Sequence, residues 1–346
     1  ECKACKVECP SNVDMTKFKY EFLNEYHKTH GHSLRNQIFG NISRFSRWGS
    51  FFAPISNWIL RAEFNRKLIE KYMGIDSRRE LPKFASQTFT QWVKSKLLSP
   101  DTTSYRGEVL LLPDTFTNYN HPELGKAAVK VLEYLGYKVI VPPIKCCGRP
   151  MMSNGMLDEA GANAQFNVEE IYPYIEKGVK LVGLEPSCIL NYKDDYTDLL
   201  QGDVGEKAKA VSNNTMLIEE FVMYAQREHG AKIVFKNSPG KLLFHAHCHQ
   251  KALLGSQGAM NILKSIPGAE AHEIKSGCCG MAGSFGFEKE HYDISMKIGE
   301  QSLFPSIRSQ EGEFTVVSEG ISCRQQIKQG TGRKAKHLVE ILADSI

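Results

Sequence analysis

A cysteine-cysteine-glycine triplet that occurs twice, each time within the same longer pattern, is the feature that most constrains this chain. The triplet stands at residues 146–148 and again at 278–280. A further cysteine follows the first triplet's second Cys by 41 residues, at Cys188, and the second triplet's by 44, at Cys323. Upstream, a short apolar run ends 32 residues before the first pair and 30 before the second. Three landmarks in the same order predict one structural unit built twice.

Both units alternate short apolar runs with segments of helical spacing. In the first unit, Leu124, Ala128 and Leu132 recur on one face of a predicted helix over 122–135. Such alternation is typical of parallel α/β structure, so we expect two homologous Rossmann-like parallel α/β units in tandem. The predicted strands are 108–112, 137–141 and 180–184 in the first unit and 241–244, 271–274 and 314–317 in the second, and 156–171 is a further predicted helix.

Cysteines come shortly after the predicted strands in both units. The carboxyl ends of parallel strands meet at one edge of a sheet, where α/β proteins bind ligands, so side chains from separate loops should converge there. The second unit is thus expected to gather four thiols and the first to gather three. The candidate ligands are Cys248, Cys278, Cys279 and Cys323 in the second unit, and Cys146, Cys147 and Cys188, with Asp114 nearby, in the first.

Ten cysteines in one chain leave three interpretations open. A disulfide framework is typical of small secreted domains, and the Cα atoms of neighbouring residues are about 3.8 Å apart, below the usual disulfide range of about 4.4–6.8 Å. Buried apolar cysteine is common for free thiols, but it does not predict two identical triplets. Ligation of a metal or an iron–sulfur cluster predicts clustering, and the spacing favours it.

Composition excludes several other classes of protein. Hydrophobic residues make up 42% of the chain and charged residues 24%, which is typical of a globular protein and not of a disordered one. The net charge is +4, without the dense Lys and Arg run of a nucleic-acid binder. No apolar run reaches the roughly 18 residues of a membrane span, so we expect no transmembrane segment.

Two further patterns lie near the cysteines of the second unit. Over 277–286 a glycine recurs at every third residue, which would let backbone N–H groups approach the sulfurs of a bulky cluster; an ordinary glycine-rich turn is the alternative. His245, His247 and His249 surround Cys248, and if this segment is a strand they face one side and the cysteine the other. We expect His247 and His249 to support the site by hydrogen bonds rather than as direct ligands.

The first nine residues hold three cysteines that match the end of a C-x₂-C-x₂-C-x₃-C-P run. In two-cluster ferredoxins the cysteine before proline ligates the other cluster, so Cys2 and Cys5 are predicted to serve one ferredoxin-type cluster and Cys9 a second. The first cysteine of the run would lie before Glu1. We therefore expect residues 1–15 to be the remnant of a 4Fe-4S ferredoxin domain, poorly ordered or free of cluster.

Residues 16–106 lack clear strands and predict a helical connector. Aromatic and aliphatic residues recur through 42–60 at helical spacing. Such a stripe usually belongs to a core or a domain interface. Because Arg35, Arg44 and Arg47 flank it, a membrane-surface or quinone-facing role stays open.

These residues together resemble a known family. The paired units resemble the cysteine-rich CCG domain of a heterodisulfide reductase subunit. Over essentially its whole length the chain is more similar to the C-terminal part of FAD-linked oxidases fused to a 4Fe-4S ferredoxin domain, the D-lactate and D-2-hydroxyglutarate dehydrogenase-like group, and to related iron–sulfur subunits of glycolate oxidase and anaerobic glycerol-3-phosphate dehydrogenase. The most specific matches are residues 5–15, 247–253, 278–286 and 322–324.

The resemblance implies cofactors and partners that the residues alone do not. It implies 4Fe-4S clusters held by the cysteines, with FAD confined to an upstream domain of the same polypeptide. It also implies an electron acceptor, which is a quinone, a cytochrome or another protein. It gives a location in the cytoplasm, with peripheral contact at the inner face of the membrane as an alternative.

The chain departs from the family pattern at the end of each unit. The CCG pattern usually closes with Cys-x-x-Cys, but Glu185 stands three residues before Cys188, and Gly320 three before Cys323. The first unit also lacks the leading cysteine and shows Asp114 nearby. We therefore expect the first unit to hold a metal with a mixed ligand set, an incomplete cluster, or nothing.

The predicted organisation has four segments: a ferredoxin remnant at 1–15, a helical connector at 16–106, a first CCG unit at 107–237 and a second CCG unit at 238–346. The predicted function is the iron–sulfur electron-transfer module of an FAD-linked D-2-hydroxy-acid dehydrogenase. The alternatives are a zinc-binding structural or interaction module, and a thiol–disulfide redox domain of the heterodisulfide reductase type. We do not expect the chain by itself to oxidise a hydroxy acid.

Overall fold

Two wholly parallel β-sheets organise the computed structural model, which describes residues 2–97 and 105–346. The first sheet contains β1 (Gly107–Leu111), β2 (Tyr137–Ile140), β3 (Lys180–Gly183) and β4 (Thr215–Leu217), in the order β2-β1-β3-β4. The second contains β5 (Lys241–Phe244), β6 (Glu270–Glu273) and β7 (Thr315–Val317), in the order β6-β5-β7. In each sheet the second strand pairs on one side of the first strand and the third on the other. This shared order confirms the prediction of two homologous parallel α/β units; β4 was not predicted.

Helices connect the strands of both units. Those of the first unit are Thr115–Tyr119, Pro122–Tyr134, Arg149–Ser153, Leu157–Ile175, Pro186–Lys193, Asp195–Leu199, Gly202–Asn213 and Ile218–His229. Those of the second are Cys248–Leu253, Gln257–Ser265, Tyr292–Gln301, Leu303–Arg308, Ile321–Thr331 and Leu338–Ser345, with a 3₁₀ turn at Phe285–Phe287. Pro122–Tyr134 starts with a proline in its first turn and buries Leu124, Ala128 and Leu132, as the spacing predicted.

The segment before the first sheet is helical. Its helices are Ala4–Glu8, Met15–His30, Leu34–Gly40, Ile42–Phe51, Ala53–Arg61, Glu63–Met73 and Phe89–Leu97. Asp14 caps the second of them by accepting a hydrogen bond from the Thr16 N–H at 3.1 Å. Residues 98–104 of the predicted connector, and Glu1 of the predicted ferredoxin remnant, lie outside the described residues. The four segment boundaries stay a prediction.

The N-terminal segment packs against the first unit. The Lys3 side chain is fully buried. Its ammonium group pairs with Asp14 at 2.5 Å and with Asp194 at 2.9 Å, and Asp195 lies 3.6 Å away. A buried ammonium is tolerated only when it is paired, and these carboxylates fix the segment in place.

The aromatic stripe of residues 42–60 is exposed, so it does not belong to a core of this chain; its role as a domain interface stays a prediction. Trp48 is 65% exposed, Phe51 75% and Trp58 70%. The buried residues of helix Ile42–Phe51 are instead the small ones, Ser46, Gly49 and Ser50. In the described parts of the chain, no helix combines the length and apolarity that a membrane crossing needs.

One hydrophobic core is shared by the two units. Val109 and Leu111 of β1 lie in the same buried cluster as Leu242 and Phe244 of β5 and the helix Leu338–Ser345. Two further clusters lie on the other faces of the sheets, one in each unit. The two sheets are therefore held together by apolar packing as well as by hydrogen bonds.

Candidate cysteine clusters

Four cysteines of the second unit and one from the N-terminal segment form a connected group of thiols. Cys279 hydrogen bonds to Cys278 and Cys323. Cys248 hydrogen bonds to Cys278 and to Cys2. All ten cysteines of the chain are free, without a disulfide. The structure thus brings together the four cysteines predicted from the strand ends, and it adds Cys2, which the sequence pattern had assigned to a ferredoxin-type cluster.

The local structure explains why these side chains converge. Cys248 begins a helix just after the loop that follows β5, and Cys323 lies in the first turn of the helix after β7. Cys278 and Cys279 lie in the loop after β6. There Gly280, with φ of 99°, turns the chain so that its N–H donates to the Cys278 Sγ at 3.3 Å. Because the three strands are parallel, all these loops meet at one sheet edge.

Burial and mutual hydrogen bonding disfavour the thiolate forms of Cys248 and Cys279. Hydrogen bonds with Cys2 and Cys278, together with burial, raise the pKa of Cys248 well above its usual value. The hydrogen bond with Cys278 lowers the pKa of Cys279, but the bond with Cys323 and burial outweigh it, and this pKa also lies well above its usual value. A cation that coordinates these sulfurs has to release their protons.

A smaller group of three thiols occupies the same edge of the first unit. Cys147 hydrogen bonds to both Cys146 and Cys188. The hydrogen bond with Cys147 lowers the pKa of Cys188. Burial and the nearby carboxylates outweigh this effect and raise the pKa to about 11. The Cys147 carbonyl accepts hydrogen bonds from the Asn191 amide at 2.5 Å and the Tyr196 hydroxyl at 3.1 Å. This polar network fixes the loop that carries the pair.

The first unit has a threonine where the second unit has its leading cysteine. Leu111 lies opposite Val182 as Phe244 lies opposite Val317, so Leu111 and Phe244 hold equivalent positions. Thr115 comes four residues after Leu111, and Cys248 comes four residues after Phe244. The Thr115 hydroxyl hydrogen bonds to Cys146, as Cys248 does to Cys278. The first site is therefore a three-thiol, one-hydroxyl version of the second.

Asp114, the fourth predicted ligand of the first unit, caps a helix. One carboxylate oxygen accepts the N–H groups of Phe116 at 2.9 Å and Thr117 at 3.0 Å. Burial, the largest cause, raises the pKa of Asp114 to about 6. The second oxygen, Oδ2, has no hydrogen-bond partner among the described residues. Asp114 thus lies one residue before the hydroxyl that contacts the thiols, and its cap bonds fix its orientation.

Glu185 and Gly320 stand where the CCG pattern usually has the first cysteine of its closing pair. Glu185 accepts the Ile321 N–H of the other unit at 2.8 Å, and it also accepts the Ser187 hydroxyl at 2.8 Å. A Cβ at Gly320 would lie 2.3 Å from the His247 Cδ2 atom. No side chain of any size fits at this position without moving His247, which accounts for the absence of a cysteine there.

The histidines around Cys248 do not alternate along a strand, which corrects that expectation. The strand β5 ends at Phe244, and His247 caps the following helix through its Nδ1 atom, which accepts the His249 N–H at 3.2 Å. Burial lowers the pKa of His247 to about 4, so the ring is neutral. The His247 and His249 rings lie 5.3 Å apart, both buried.

The other two N-terminal cysteines lie on and after a short helix. Cys5 is in helix Ala4–Glu8, and Cys9 follows its last residue. Hydrogen bonds from the backbone N–H of Val13, then of Ser11, lower the pKa of Cys9. Backbone N–H groups directed at a cysteine sulfur stabilise its thiolate, which is the form that binds metal.

A cavity of about 150 Å³ separates the two thiol groups. Cys188 lines it from the first unit, and Cys248 and Cys279 line it from the second. The rest of the wall is mostly apolar and includes Phe39, Ile42, Leu81, Pro82, Phe116 and Phe287. The two candidate sites therefore open onto one small, largely apolar space.

Arg149, which the sequence pattern did not single out, lines the same cavity. Its guanidinium is buried and donates to the Asn191 side chain at 2.7 Å and to the Asp195 carboxylate. Its Nε and Nη1 atoms have no hydrogen-bond partner among the described residues. Arg149 directly follows Gly148 of the first triplet, so its position beside a candidate site was the available signal.

One group outside the cysteines has metal-binding geometry in the part of the chain that the structure describes. The ligand atoms of Glu288, Glu290 and His291 lie within 4.8 Å of one another. Arg35 already pairs with Glu290 at 2.5 Å and approaches Glu288 to 3.6 Å. The arginine supplies the positive charge that a metal would bring, and we give this group no role in ligand binding.

Comparison with known proteins finds relatives among dehydrogenases. The CCG family, described as a cysteine-rich domain, matches residues 115–193 and 242–328. The chain is 32% identical over 316 residues to one of the subunits of anaerobic glycerol-3-phosphate dehydrogenase of Escherichia coli (strain K12), covering 91% of this chain and 78% of that protein. It is 25% identical over 355 residues to D-2-hydroxyglutarate dehydrogenase of the same strain, covering 100% of this chain and 34% of that protein. It is 28% identical over 242 residues to lactate utilization protein A of Exiguobacterium sp., covering 65% of this chain and 92% of that protein. These matches confirm the resemblance drawn from the sequence.

Proposed function

The chain belongs to the CCG cysteine-rich-domain family, and from this membership we propose that it is the iron–sulfur electron-transfer module of a flavin-linked dehydrogenase. The observation that carries the proposal is the convergence of Cys248, Cys278, Cys279 and Cys323, with Cys2 beside them, at one sheet edge. Sulfur is the only donor in this connected group. Thiolates are the usual ligands of iron–sulfur clusters, and the five thiols gathered here exceed the four ligands that a structural zinc ion takes.

The residues fit a cluster in the second unit more fully than in the first. When bound there, a cluster of the 4Fe-4S type accepts and releases single electrons. The four cysteines of the second unit would hold it, and the Gly280 N–H already donates to one of the sulfurs. In the first unit, Cys146, Cys147 and Cys188 would leave one position to the Thr115 hydroxyl or to a ligand in the cavity. Asp114 is held by its cap, so we leave it out of the donor set.

We assign the N-terminal cysteines to the entry side of the electron path. Cys5 and Cys9 keep their predicted role as ligands of ferredoxin-type clusters. Cys2 lies where that motif meets the second unit, in contact with Cys248 and Cys278. Electron transfer between sites needs a short distance, and a cysteine shared by the two regions provides it. His247 and His249 surround the second site as neutral, buried rings.

The proposed electron donor is a flavin domain or subunit that oxidises a small anionic alcohol. Glycerol-3-phosphate and D-2-hydroxyglutarate, named in two of the relatives, are both small anions with a secondary hydroxyl group. A D-2-hydroxy acid is the substrate class that we propose for the whole enzyme. The chain spans about a third of the D-2-hydroxyglutarate dehydrogenases, so the oxidation itself is assigned to the partner domain.

The proposed acceptor is a quinone that reaches the cavity between the two thiol groups. The cavity wall is largely apolar, and two of its residues, Phe39 and Ile42, belong to the helices at the start of the exposed aromatic stripe. A quinone is apolar enough to enter from a membrane surface, and it takes up two electrons and two protons. We accordingly propose that the chain works at the inner face of the membrane.

Metal content after anaerobic purification tests the proposal. We expect a brown protein with stoichiometric iron, little zinc and an electron paramagnetic resonance signal after reduction with dithionite. Cys279→Ser should remove the iron of the second unit and its signal, because Cys279 connects Cys278 to Cys323.

Cys188→Ser is the matched control, since it changes an equally buried thiol in the first unit. It should leave the signal of the second unit unchanged. Zinc as the dominant metal, or a colourless protein without iron, would refute the proposed function. Oxidation of a D-2-hydroxy acid by the purified chain alone would refute the division of labour between the chain and its partner.

A further inference from the structure

Arg79 places a guanidinium group in the interior of the second unit. The residue is 1% exposed, although it belongs to the segment before the first sheet. Its guanidinium donates to the Gly286 carbonyl at 2.6 Å. It also donates to the Gln326 side-chain oxygen at 2.7 Å and to the Ser295 hydroxyl at 2.8 Å. Arg79 therefore reaches from the N-terminal segment into the packing of the second unit.

The hydrogen-bond partners of this guanidinium are neutral groups. The Gln329 side-chain oxygen, at 3.2 Å, is a further one, and the centroid of the Tyr292 ring lies 4.7 Å from the guanidinium carbon. Asp76 pairs with the neighbouring Arg78 at 2.7 Å, and no carboxylate of the described residues forms an ion pair with Arg79. A buried charge is costly unless an opposite charge neutralises it, because water is excluded. The second unit thus contains a buried positive charge that no described carboxylate neutralises.

The partners of Arg79 are also neighbours of the thiols in the second unit. Gly286 ends the glycine-rich loop that carries the second triplet, and Gln326 lies three residues after Cys323 in the same helix. Ser295 and Gln326 both lie against the glycine of that triplet, where an added Cβ would be 2.3 Å from the Ser295 carbonyl oxygen. Arg79 therefore lies directly behind the residues that surround the four thiols.

Cys279 is close enough to Arg79 for their charges to interact. Burial, the largest cause, lowers the pKa of Arg79 from its usual value, and negative charge on Tyr292, Asp76 and Cys279 acts against this shift. An arginine in a protein keeps its proton all the same. Because charges attract more strongly where water is excluded, this guanidinium stabilises a thiolate at Cys279 more than an exposed cation would.

The buried arginine beside the thiols of the first unit has a different environment. Arg149 pairs with the Asp195 carboxylate, which neutralises its charge inside the protein. The first unit has three thiols, whereas the second has the full set of four. The complete set of cysteines therefore lies beside the arginine that has no carboxylate partner.

We propose that Arg79 is the counter-charge of an anionic metal–thiolate group held by the four cysteines of the second unit. Four thiolates bring more negative charge than a zinc ion or the inorganic core of a 4Fe-4S cluster neutralises, so the group stays anionic. A buried positive charge behind it strengthens metal binding, and it raises the reduction potential by favouring the reduced, more negative form. Arg79 is a positioning residue, since it acts through the residues around the thiols. The inference rests on the proposed function for the presence of a metal.

Substitutions that change the charge of Arg79 in the full, anaerobically purified chain test this. The midpoint potential of the second site is measured by a redox titration followed by electron paramagnetic resonance. It should fall in Arg79→Gln and stay close to the wild-type value in Arg79→Lys. Arg79→Gln should also lose its metal to a chelator roughly tenfold faster, since loss of a group that supports metal ligands usually costs about 10–100-fold in affinity.

Gln326→Glu tests the same charge with Arg79 in place. The Gln326 oxygen already accepts a hydrogen bond from Arg79, so the new carboxylate gives the guanidinium the ion pair that it lacks. The fold should be kept, and the potential should fall as it does in Arg79→Gln. Lys328→Gln is the matched control, because it removes one positive charge from an exposed position on the same helix. It should leave the potential and the rate of metal loss unchanged.

The metal that is found separates this inference from the proposed function. Iron-loaded Arg79→Gln with the potential and the metal retention of the wild type would overturn the inference and leave the electron-transfer function standing. Zinc in the wild type, lost faster from Arg79→Gln, would overturn the electron-transfer function and leave the counter-charge standing. A fall in potential as large in Arg79→Lys as in Arg79→Gln would also overturn the inference, because the shape of the side chain and not its charge would then decide the potential.

Discussion

Glu219 and Glu319 bring two carboxyl groups together in the interior, one from each unit. Both side chains are almost completely buried, and the Gln250 amide donates to Glu219 at 2.7 Å. Burial, then repulsion by Glu219, raises the pKa of Glu319 well above its usual value. Burial raises the pKa of Glu219 to about 7, against a hydrogen bond with Glu319 that lowers it. Two buried carboxyls in contact hold a shared proton, because both cannot ionise at once.

Glu319→Gln should make the stability of the protein less dependent on pH. In the wild type the folded state keeps protons that the unfolded chain releases above about pH 4.5, so the free energy of unfolding falls as the pH rises toward 7. The variant has no second ionisable group in this pair, so its free energy of unfolding should fall by about 1–3 kcal/mol less than that of the wild type between pH 5 and pH 8. Urea unfolding at a series of pH values measures this.

Glu313→Gln is a suitable control, because this carboxyl is exposed and its removal should leave the pH dependence unchanged. A Glu319→Gln protein that loses stability between pH 5 and pH 8 as steeply as the wild type would show that the pair does not share a proton.

The helices Pro186–Lys193 and Ile321–Thr331, which carry Cys188 and Cys323, show how a neighbouring side chain decides which residue can precede a helix. Gly320 precedes the helix Ile321–Thr331 with an ordinary φ of −70°, so glycine is not required there by the backbone. It is required by His247, whose ring occupies the space of a side chain. The equivalent Glu185 has room and reaches across to the Ile321 N–H. The same element therefore begins differently in the two units because their partners differ.

Gly320→Ala should destabilise the protein by about 1–3 kcal/mol, because the new methyl group forces His247 out of its position beside Cys248. Gly161→Ala is the matched control, since a Cβ there meets nothing within 4 Å in helix Leu157–Ile175. It should stabilise by about 0.5–1 kcal/mol through helix propensity. Thermal unfolding of both variants measures the difference, and equal effects of the same sign would contradict the steric explanation.

Across the whole molecule, the contacts between the two units predict that they unfold together. They share an apolar core, and His337 hydrogen bonds to the Leu184 carbonyl at 2.9 Å across the boundary. The Lys130 ammonium of the first unit donates to the Ala343 carbonyl of the last helix at 2.5 Å. Separation of the two sheets would expose this shared core to water.

Leu342→Ala should therefore lower the stability of both sheets. Leu342 is fully buried in the shared core, and truncation of such a leucine costs about 2–5 kcal/mol. Hydrogen exchange should show that the amides of β1 lose as much protection as those of β5, although the change lies in the last helix. Ile294→Ala, at a half-exposed position, should leave both unaffected. Loss of protection confined to the second unit would show that the units unfold independently.

Much of the fold could be predicted from the sequence, because its signals are local. Short apolar runs placed six of the seven strands of the described residues within one residue, and the repeated triplet gave the duplication. The three-residue strand β4 was missed because Thr215, Met216 and Leu217 form too short a run to show a period. The aromatic stripe was predicted to belong to a core or a domain interface, and its helix instead packs inward through Ser46 and Gly49, which leaves the aromatic side chains outside the core of this chain.

Which cysteines belong together follows from the order of residues alone, since parallel strands bring the loops that follow them to one edge. What completes each group does not follow from it. The contact of Cys2 with Cys248 joins residues 246 positions apart, and Thr115 matches Cys248 only through the strand register. The pairing of Glu219 with Glu319, the position of Arg149 in the cavity and the clash that excludes a side chain at Gly320 likewise arise between elements. Such contacts depend on how sheets and helices pack, and no local pattern in a chain encodes the neighbours that packing supplies.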